Sequence, residues 1–367
     1  MRVFGCACHA GAPRRALLRA GFAAAALPLA GALRAQPAVR AVDIHAHFFP
    51  QEFLDLVAAE GGRFGAAYQR RPEGFTIGVA DVAPPTAVLP TKFVELDERL
   101  RDMDAQGVAV QALSLTSPMI YWADAVYGAK LARAWNDAAS AAHRAHPERF
   151  VGLAILPMQD TDAALAELER ARALPGIRGV YCGTNIATKD LDEKRLLPVF
   201  KAIEAAGLPL FLHPLQTAGG ARLQPFYLSN LLGNPLDSAI AAGHLIFGGV
   251  LDACPALQVN LPHAGGVLPI LVGRWDHGTR LRPELAHMKG RVPSDYLRRF
   301  TYDTIAHDAR IMRFVLELVG ADRVMLGSDY CYDMGYDRPV QFVDTLGLDP
   351  ETRAAILGGN AARVLKL

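Results

Sequence analysis

The residues best suited to chemistry are histidines and aspartates that follow short apolar segments of the chain. His45 and His47 stand two residues apart after the first such segment, and later segments are followed by His213, His263, Asp303 and Asp329. In an extended segment, residues two apart point the same way, so one metal ion can bind both His45 and His47. Each signal alone is weak, because single histidines are often core residues and single aspartates often cap helices. Together they predict a metal site, since buried polar groups are costly unless something pairs them.

Eight short apolar segments alternate with helix-like stretches along the body of the chain. Each segment is rich in β-branched or large apolar residues and is bounded by Gly, Pro or polar groups, which is typical of strands buried on both faces. The predicted strands are residues 42–44, 108–113, 150–156, 177–181, 208–212, 257–261, 300–302 and 323–326. Helix start and stop signals predict helices at residues 129–146, 161–173, 193–206 and 309–319.

This alternation predicts an α/β fold, a (β/α)8 TIM barrel formed by residues 36–367. A doubly wound open sheet is the alternative, but no glycine-rich dinucleotide-binding motif follows the first strand. In a barrel the carboxyl ends of all strands lie on one face, where such folds place their active sites. The predicted fold therefore brings the candidate metal ligands together.

Two stretches interrupt the alternation. Residues 61–92, after the first strand, contain the apolar segment 75–79 and the pair Pro84-Pro85, and we expect a small β insertion or a lid there. Residues 214–237, after the fifth strand, are rich in Gly and Pro and are expected to form a loop over the active site.

The composition excludes several classes of protein. Of the 367 residues, 51% are hydrophobic and 20% charged, which supports a sizeable core and excludes a disordered or fibrous protein. The formal net charge of +1 does not indicate the basic surface that binds nucleic acid. Residues 1–35 contain five arginines and no acidic residue, so residues 36–367 carry a formal charge of −4. An odd number of cysteines without paired spacing argues against a disulfide framework in the body: Cys182, Cys254 and Cys331.

Residues 1–35 have the parts of an export signal. Arg14 and Arg15 precede an apolar stretch at residues 20–33, and small residues follow near Ala35. The arginine pair indicates the twin-arginine route, so we expect a periplasmic or exported protein. The apolar stretch is too short to cross a bilayer, and we expect no membrane span. The alternative is an Ala-rich helix packed on the body, which would be weakened by Gly21, Pro28 and Gly31.

Several motifs of the body resemble, in order, one branch of the amidohydrolase superfamily. They are His-Ala-His-Phe-Phe-Pro at residues 45–50, Met-Asp-Ala-Gln-Gly-Val at 103–108, Leu-Pro-Met-Gln-Asp at 156–160, His-Pro at 213–214, His-Ala-Gly-Gly at 263–266, Gly-Arg at 273–274, Pro-Ser-Asp-Tyr at 293–296 and Asp-Arg-Val-Met-Leu-Gly-Ser-Asp-Tyr at 322–330. Over residues 41–366 the chain is similar to the amidohydrolase-related family that includes aminocarboxymuconate semialdehyde decarboxylase. The resemblance implies a distorted barrel with a small β insertion.

The resemblance also implies a metal centre. His45, His47, His213 and Asp329 match the metal ligands of the family, and His263 matches its catalytic histidine beside the metal-bound water. Three neutral imidazoles and one carboxylate suit one divalent ion, for which nitrogen ligands favour Zn²⁺ and Mn²⁺ is the alternative. The fourth strand ends without a lysine that would bridge a second ion, so a mononuclear site is favoured. We expect Asp303 to orient a ligand rather than take part in the chemistry.

The matching residues suggest a mechanism and leave two alternatives open. Such an ion lowers the pKa of bound water to roughly 7, and His263 is expected to act as the general base toward that water. We hypothesise a non-oxidative decarboxylase of an unsaturated or aromatic carboxylate, in which the water or Asp329 assists protonation of carbon as CO2 leaves. One alternative is a hydrolase of a lactone, ester or C–C bond at the same site. The other is a metal-storing protein, which has no need of His263.

The substrate-binding residues are less well matched. Arg274 matches an arginine that reaches a substrate carboxylate in a neighbouring subunit, which implies a homodimer, and Phe226 matches an aromatic wall of the family's site. A second substrate-binding arginine of the decarboxylase corresponds to Ala87 here. Three nearby cations are the candidates to replace it: Lys92, Arg99 and Arg101.

Overall fold

The computed structural model describes residues 40–367 except residues 81, 84 and 216. The predicted export signal at residues 1–35 lies outside the described residues. In the part of the chain that is described, no helix combines the length and apolar character needed to cross a membrane.

Among the described residues, thirteen strands form one large parallel sheet and two small antiparallel ones. The strands are β1 (Val42–His47), β2 (Ala66–Arg71), β3 (Gly74–Val79), β4 (Leu89–Pro90), β5 (Val110–Ser114), β6 (Phe150–Ile155), β7 (Ile177–Gly183), β8 (Asn185–Ile186), β9 (Lys189–Asp190), β10 (Leu210–His213), β11 (Val259–Leu261), β12 (Phe300–Asp303) and β13 (Val324–Met325). The large sheet has the order β1-β5-β6-β7-β10-β11-β12-β13. Each of its eight strands overlaps a predicted strand, so the (β/α)8 barrel is confirmed.

The two ends of the large sheet meet and nearly close the barrel. Ile44 donates its backbone N–H to the carbonyl of Leu326 at 2.9 Å. Ala46 forms an isolated parallel bridge with Tyr330, and Asp329 donates its backbone N–H to the carbonyl of His45 at 2.9 Å. These contacts place the end of β1 beside the segment that follows β13.

Helices separate the barrel strands and cover them, so the strands are buried on both faces. The helices are α1 (Gln51–Glu60), α2 (Leu96–Gln106), α3 (Ala125–Ala145), α4 (Thr161–Ala171), α5 (Leu197–Ala205), α6 (Asn234–Phe247), α7 (Val250–Ala253), α8 (Leu268–Leu281), α9 (Ala309–Val319), α10 (Pro339–Asp344), α11 (Pro350–Ala354) and α12 (Asn360–Leu365). The predicted start and stop of a helix are both observed at α9. The side chain of Asp308 accepts from two backbone N–H groups at its first turn, and Gly320 follows its last turn.

The two interruptions adopt different structures. The first contains β2, β3 and β4, an antiparallel sheet between α1 and α2, and this is the predicted small β insertion. Gly74 has φ of 151°, and a side chain there would meet the carbonyl of Leu89, so this tight approach requires glycine. The second, residues 214–237, was predicted as a loop. It consists mostly of short helical turns, but α6 begins within it, at Asn234. The three described cysteines are buried and unpaired.

Candidate metal centre and active site

Four of the predicted ligands converge at the carboxyl ends of the barrel strands. His45 and His47 end β1, His213 ends β10, and Asp329 follows β13. The Nε2 atoms of His45 and His47 are 3.2 Å apart, and Asp329 Oδ1 lies 3.0 Å from His47 Nε2 and 3.5 Å from His45 Nε2. One nitrogen of His213 lies within 4.8 Å of nitrogens of both other imidazoles.

The outer nitrogens of the three imidazoles have their own partners. His45 Nδ1 lies 2.9 Å from Asp303 Oδ2, His47 Nδ1 lies 3.2 Å from the Ser114 hydroxyl, and His213 Nδ1 lies 2.8 Å from the carbonyl of Pro214. For His45 and His213 the partner is an acceptor, which places the proton on Nδ1 and leaves the Nε2 lone pair facing inward. Imidazoles held in this way are arranged to bind a cation.

Burial and charge fix the ionisation of the ligands. Burial lowers the pKa of His47 to about 4, and burial with the neighbouring imidazoles holds the pKa of His213 well below its ordinary value. Burial opposes positive charge on His45 as well, but the hydrogen bond to Asp303 and the nearby Asp329 raise its pKa. Burial alone would raise the pKa of Asp329, yet hydrogen bonds from His263 and His47 hold it well below the ordinary value. The cluster therefore supplies two neutral imidazoles, His47 and His213, and an ionised carboxylate, while the two aspartates beside His45 favour positive charge at that ring.

These residues fit a divalent metal ion. The Nε2 atoms of His45 and His47 lie 3.2 Å apart, and if both rings carry their proton on Nδ1 the facing lone pairs repel one another unless a cation lies between them. Spacings of 3.0–3.5 Å between ligand atoms match nitrogen and oxygen atoms that share one ion at about 2.0–2.1 Å. The donor set is the borderline one that Zn²⁺ and Mn²⁺ both accept.

Asp303 links the metal cluster to the predicted catalytic histidine. Its Oδ2 atom accepts from His45 Nδ1 and, at 3.0 Å, from the backbone N–H of His263. Its Oδ1 atom accepts from the backbone N–H groups of Ala264 at 2.8 Å and Ile305 at 3.0 Å. Asp303 is fully buried, and hydrogen bonding to His45 keeps its pKa low despite that burial. Asp303 therefore contacts both the candidate ligand His45 and the turn that carries His263.

His263 lies beside the metal cluster in a strained turn. Its φ is 55°, and that of Asp329 is 60°, a region that side chains rarely adopt and that often marks functional sites. His263 Nε2 lies 3.8 Å from Asp329 Oδ2, while its buried Nδ1 has no hydrogen-bond partner among the described residues. The ring is therefore held on the Asp329 side and has one nitrogen left for a ligand.

Two cavities meet at His263 and Asp329. One, of about 420 Å³, is largely apolar, and its lining includes Leu231, Ile270, Ile305, Ile311, Phe314 and Met334. The other, of about 260 Å³, has hydroxyl groups in its lining, which includes Thr116, Ser117, Thr217, Tyr227, Ser229 and Tyr332. Asn230 and Asn234 line both. A ligand that spans the cavities passes directly over the two catalytic candidates.

The predicted substrate residues do not join this site in the single chain. Arg274 lies on the exposed face of α8 and lines neither cavity. Phe226 is 87% exposed with φ of 60°, and the neighbouring Tyr227 lines the hydroxyl-rich cavity in its place. The three candidates to replace the missing arginine line neither cavity: Lys92 pairs with Asp102, Arg99 is buried, and Arg101 is exposed.

One cavity residue was missed by the sequence reasoning. His307, which the sequence did not single out as a site residue, follows β12 and lines the apolar cavity with His263. Its φ is 56°, and its backbone N–H donates to the hydroxyl of Tyr336 at 2.7 Å. The sequence feature that could have identified His307 is its position four residues after Asp303, at the carboxyl end of a barrel strand, where such folds place active sites.

Comparison with known proteins identifies the family. The model of the amidohydrolase family described as Amidohydrolase matches residues 42–367. The chain belongs to this amidohydrolase family. A 2-amino-3-carboxymuconate-6-semialdehyde decarboxylase from Dictyostelium discoideum is 34% identical over 74% of this chain and 76% of its own. A gamma-resorcylate decarboxylase from Polaromonas sp. is 29% identical over 74% of this chain and 87% of its own.

A solved structure has a similar fold. The crystal structure of 5-carboxyvanillate decarboxylase from Sphingomonas paucimobilis is 27% identical, has a TM-score of 0.76, and covers 90% of this chain and 100% of its own. The family resemblance inferred from the motifs is therefore confirmed.

Proposed function

We propose that this amidohydrolase is a metal-dependent, non-oxidative decarboxylase, a carbon–carbon lyase, that acts on an unsaturated or aromatic carboxylate. The observation that carries the proposal is the position of His263 and Asp329, 3.8 Å apart, between the imidazole cluster and two cavities. The decarboxylases among its relatives support the same chemistry.

In the proposed reaction, His263 and Asp329 supply the proton that replaces the carboxylate on the substrate carbon. A bound divalent ion supplies the positive charge that holds a carboxylate and lowers the pKa of bound water. We propose that the proton is carried by His263, whose Nε2 atom lies 3.8 Å from Asp329 Oδ2 at the edge of both cavities. Delivery of that proton forms a C–H bond with the electron pair of the breaking C–C bond, and CO2 leaves. Solvent restores the proton, so the reaction needs no oxidant or second substrate.

The apolar cavity suits the body of such a substrate. Its volume of about 420 Å³ admits a substituted ring, and its aliphatic and aromatic lining favours an uncharged one. The smaller cavity offers hydroxyl and amide groups to polar substituents. We propose that the carboxylate lies between the two cavities, next to His263.

We propose Zn²⁺ as the native ion, with Mn²⁺ as the alternative. The support for Zn²⁺ is the number of imidazole nitrogens in the ligand set, which suits that ion better than an oxygen-rich set would. Elemental analysis of protein purified without added metal distinguishes the two. One equivalent of Mn²⁺ with no Zn²⁺ would contradict the first choice.

We also propose a homodimer in which Arg274 reaches the site of the partner. Four exposed apolar side chains at the mouth of the apolar cavity, here called the cavity-mouth patch, support this: Leu231 (51% exposed), Ile270 (71%), Ile311 (48%) and Phe314 (41%). Contiguous exposed apolar surface of this kind marks interaction sites. Arg274 lies one helical turn from Ile270 on the same exposed face of α8.

We further propose that residues 1–35 direct export by the twin-arginine route. The support is the pair Arg14-Arg15 ahead of the apolar residues 20–33. Cell fractionation of the full chain tests it, with Arg14→Lys/Arg15→Lys as the variant and Arg2→Lys as the control. Export of the double variant at the normal level would contradict the proposal.

The reaction itself is tested by separating CO2 release from acid release. Protein loaded with Zn²⁺ or Mn²⁺ is incubated with aromatic and unsaturated carboxylates and, separately, with lactones and esters. We expect CO2 from a carboxylate, and a loss of about 10²–10⁴-fold in His263→Asn with the metal retained. His146→Asn, at the end of α3, is the control. Acid release without CO2 would favour the hydrolase, and full activity of His263→Asn would refute the catalytic role.

A further inference from the structure

Arg99 is a buried cation next to the metal cluster. It lies on α2, is 0% exposed and lies outside both cavities in which we place the substrate. Its Nη1 atom donates to Gln111 Oε1 at 3.0 Å. Its Nη2 atom donates to the backbone carbonyl of His47 and, at 3.3 Å, to that of Lys92. The guanidinium therefore binds the backbone carbonyl of His47, a predicted metal ligand.

Aromatic rings and uncharged oxygens compensate the charge of Arg99. The guanidinium carbon lies 4.7 Å from the ring centre of Tyr330 and 5.8 Å from that of Phe48. Both distances are within the range of a cation–π contact. Phe48 follows the ligand His47, and Tyr330 follows the ligand Asp329, so Arg99 contacts both ligand-bearing segments.

Gln111 extends these contacts to the remaining part of the cluster. Its amide nitrogen donates to Asp43 Oδ2 at 3.2 Å. Asp43 Oδ1 in turn accepts from the backbone N–H groups of His45 at 3.1 Å and Ser328 at 3.0 Å. A continuous buried network thus runs from Arg99 through Gln111 and Asp43 to the segments that carry His45 and Asp329.

Stability alone does not account for a charge at this position. Taking a guanidinium out of water costs several kcal/mol, and well-packed apolar residues of similar volume often replace buried charged groups without loss of stability. What an apolar residue cannot do is donate to the His47 carbonyl and to Gln111 at once. The fork geometry of arginine does both with one side chain.

We propose that Arg99 is a positioning residue for the metal centre, which fixes the His47 peptide directly and the His45 and Asp329 segments through Gln111 and Asp43. This inference rests on the proposed metal centre. It assigns Arg99 to the ligands rather than to the substrate, in contrast to its possible role as a replacement for the missing substrate arginine.

The test compares metal affinity in folded variants of the full protein. Arg99→Met removes the charge at similar volume, and Arg99→Lys keeps the charge but loses the fork. Arg101→Met, the same change at an exposed position of the same helix, is the matched control. Dissociation constants for Zn²⁺ are measured by competition with a fluorescent chelator. The visible spectrum of Co²⁺-loaded protein reports the geometry of the ligands.

We expect Arg99→Met to raise the dissociation constant by about 10–100-fold, as loss of groups that orient metal ligands does elsewhere, and to alter the Co²⁺ spectrum. Arg99→Lys should fall between Arg99→Met and the wild type, and Arg101→Met should match the wild type. If Arg99→Met does not fold, Arg99→Lys decides. A folded Arg99 variant with wild-type affinity and spectrum overturns the inference, whereas a wild-type protein that binds no divalent ion overturns the metal centre itself.

Discussion

Asp303 joins the candidate ligand His45 to the turn that carries His263, and it lines neither cavity. Its two oxygens accept four hydrogen bonds, from the His45 ring and from the backbone N–H groups of His263, Ala264 and Ile305. An ionised carboxylate opposite His45 favours positive charge at that ring, which is what a metal ion at Nε2 provides. The candidate metal ligand His45 and the candidate catalytic residue His263 thus share one hydrogen-bond acceptor.

We expect Asp303→Asn to weaken binding of Zn²⁺ by about 10–100-fold, because an amide replaces one acceptor oxygen with a donor and conflicts with the His45 or His263 N–H. Chelator competition measures the change. Asp308→Asn is the control, since Asp308 caps α9 away from the ligands and asparagine caps equally well. Wild-type affinity in Asp303→Asn would refute the orienting role.

A second buried carboxyl, Asp237, makes stability depend on pH. It accepts from the hydroxyl of Thr184 and from the backbone N–H of Leu215 at 3.2 Å, and burial raises its pKa from 3.8 to about 6. The unfolded chain therefore loses this proton first as the pH rises, and the contribution of Asp237 to stability falls between about pH 4 and pH 6.

Urea unfolding of the wild type and Asp237→Asn at pH 4 and at pH 7 tests this. We expect the free energy of unfolding of the wild type, relative to the variant, to be lower at pH 7 than at pH 4. A difference between the two proteins that does not change with pH would contradict the raised pKa.

At the scale of elements, the turn between β11 and α8 is held by a close contact with α6. Gly266 has φ of 60°, and a Cβ atom there would lie 2.1 Å from the carbonyl oxygen of Pro235. Because His263 lies in the same turn, the contact fixes the approach of the catalytic candidate to Asp329.

We expect Gly266→Ala to lower the free energy of unfolding by more than about 1 kcal/mol and to reduce activity, since both the backbone angle and the space exclude a side chain. Gly278→Ala, within α8, is the control. Only Leu285 lies near a Cβ atom there, at 3.9 Å, so we expect a gain of about 0.5–1 kcal/mol. Equal stability of the two variants in thermal or urea unfolding would contradict this account.

The strands and helices were predictable where neighbouring residues along the sequence share one pattern of burial or capping. The barrel strands are apolar runs because both faces are covered, and α9 coincides with its prediction because Asp308 and Gly320 mark its ends. The start of α6 was not predicted, because Asn234 begins a helix inside a stretch rich in Gly and Pro. The helix is fixed by packing that includes the Gly266 contact, which no local pattern reveals.

The sequence predicted the candidate metal ligands but not the positions of the other residues around the site. The ligand residues follow strands, so the barrel alone brings them together. The positions of Phe226 and His307 depend on loop backbones with positive φ, and the burial of Arg99 depends on contacts with distant segments. Such contacts are made only in the folded chain, and for this reason spacing along the sequence does not predict them.

At the scale of the whole molecule, charge and shape together explain how an anion is bound. Residues 36–367 carry a formal charge of −4, so the body has no general attraction for carboxylates. An anionic substrate must be held locally, by the metal and, in the proposed dimer, by Arg274 of the second copy. The apolar cavity opens within the cavity-mouth patch, which a second copy would cover.

We expect Ile270→Asp to convert the dimer to a monomer and to raise KM for the carboxylate, because a charge enters the cavity-mouth patch beside Arg274. Light scattering coupled to size exclusion gives the mass. Val126→Asp, an exposed apolar position on α3 (81% exposed), is the control and should remain dimeric. A wild-type monomer, or a dimer that persists in Ile270→Asp, would refute this interface.

The central claim is that a proton replaces a carboxylate at carbon. The most direct measurement is turnover of a ¹³C-carboxyl-labelled aromatic or unsaturated carboxylate in D2O by the metal-loaded protein. We expect one labelled CO2 per substrate consumed, one deuterium on the carbon that lost the carboxylate, and loss of both signals after metal removal. Retention of the labelled carboxylate in a hydrolysed product, with no deuterium at that carbon, would contradict the account.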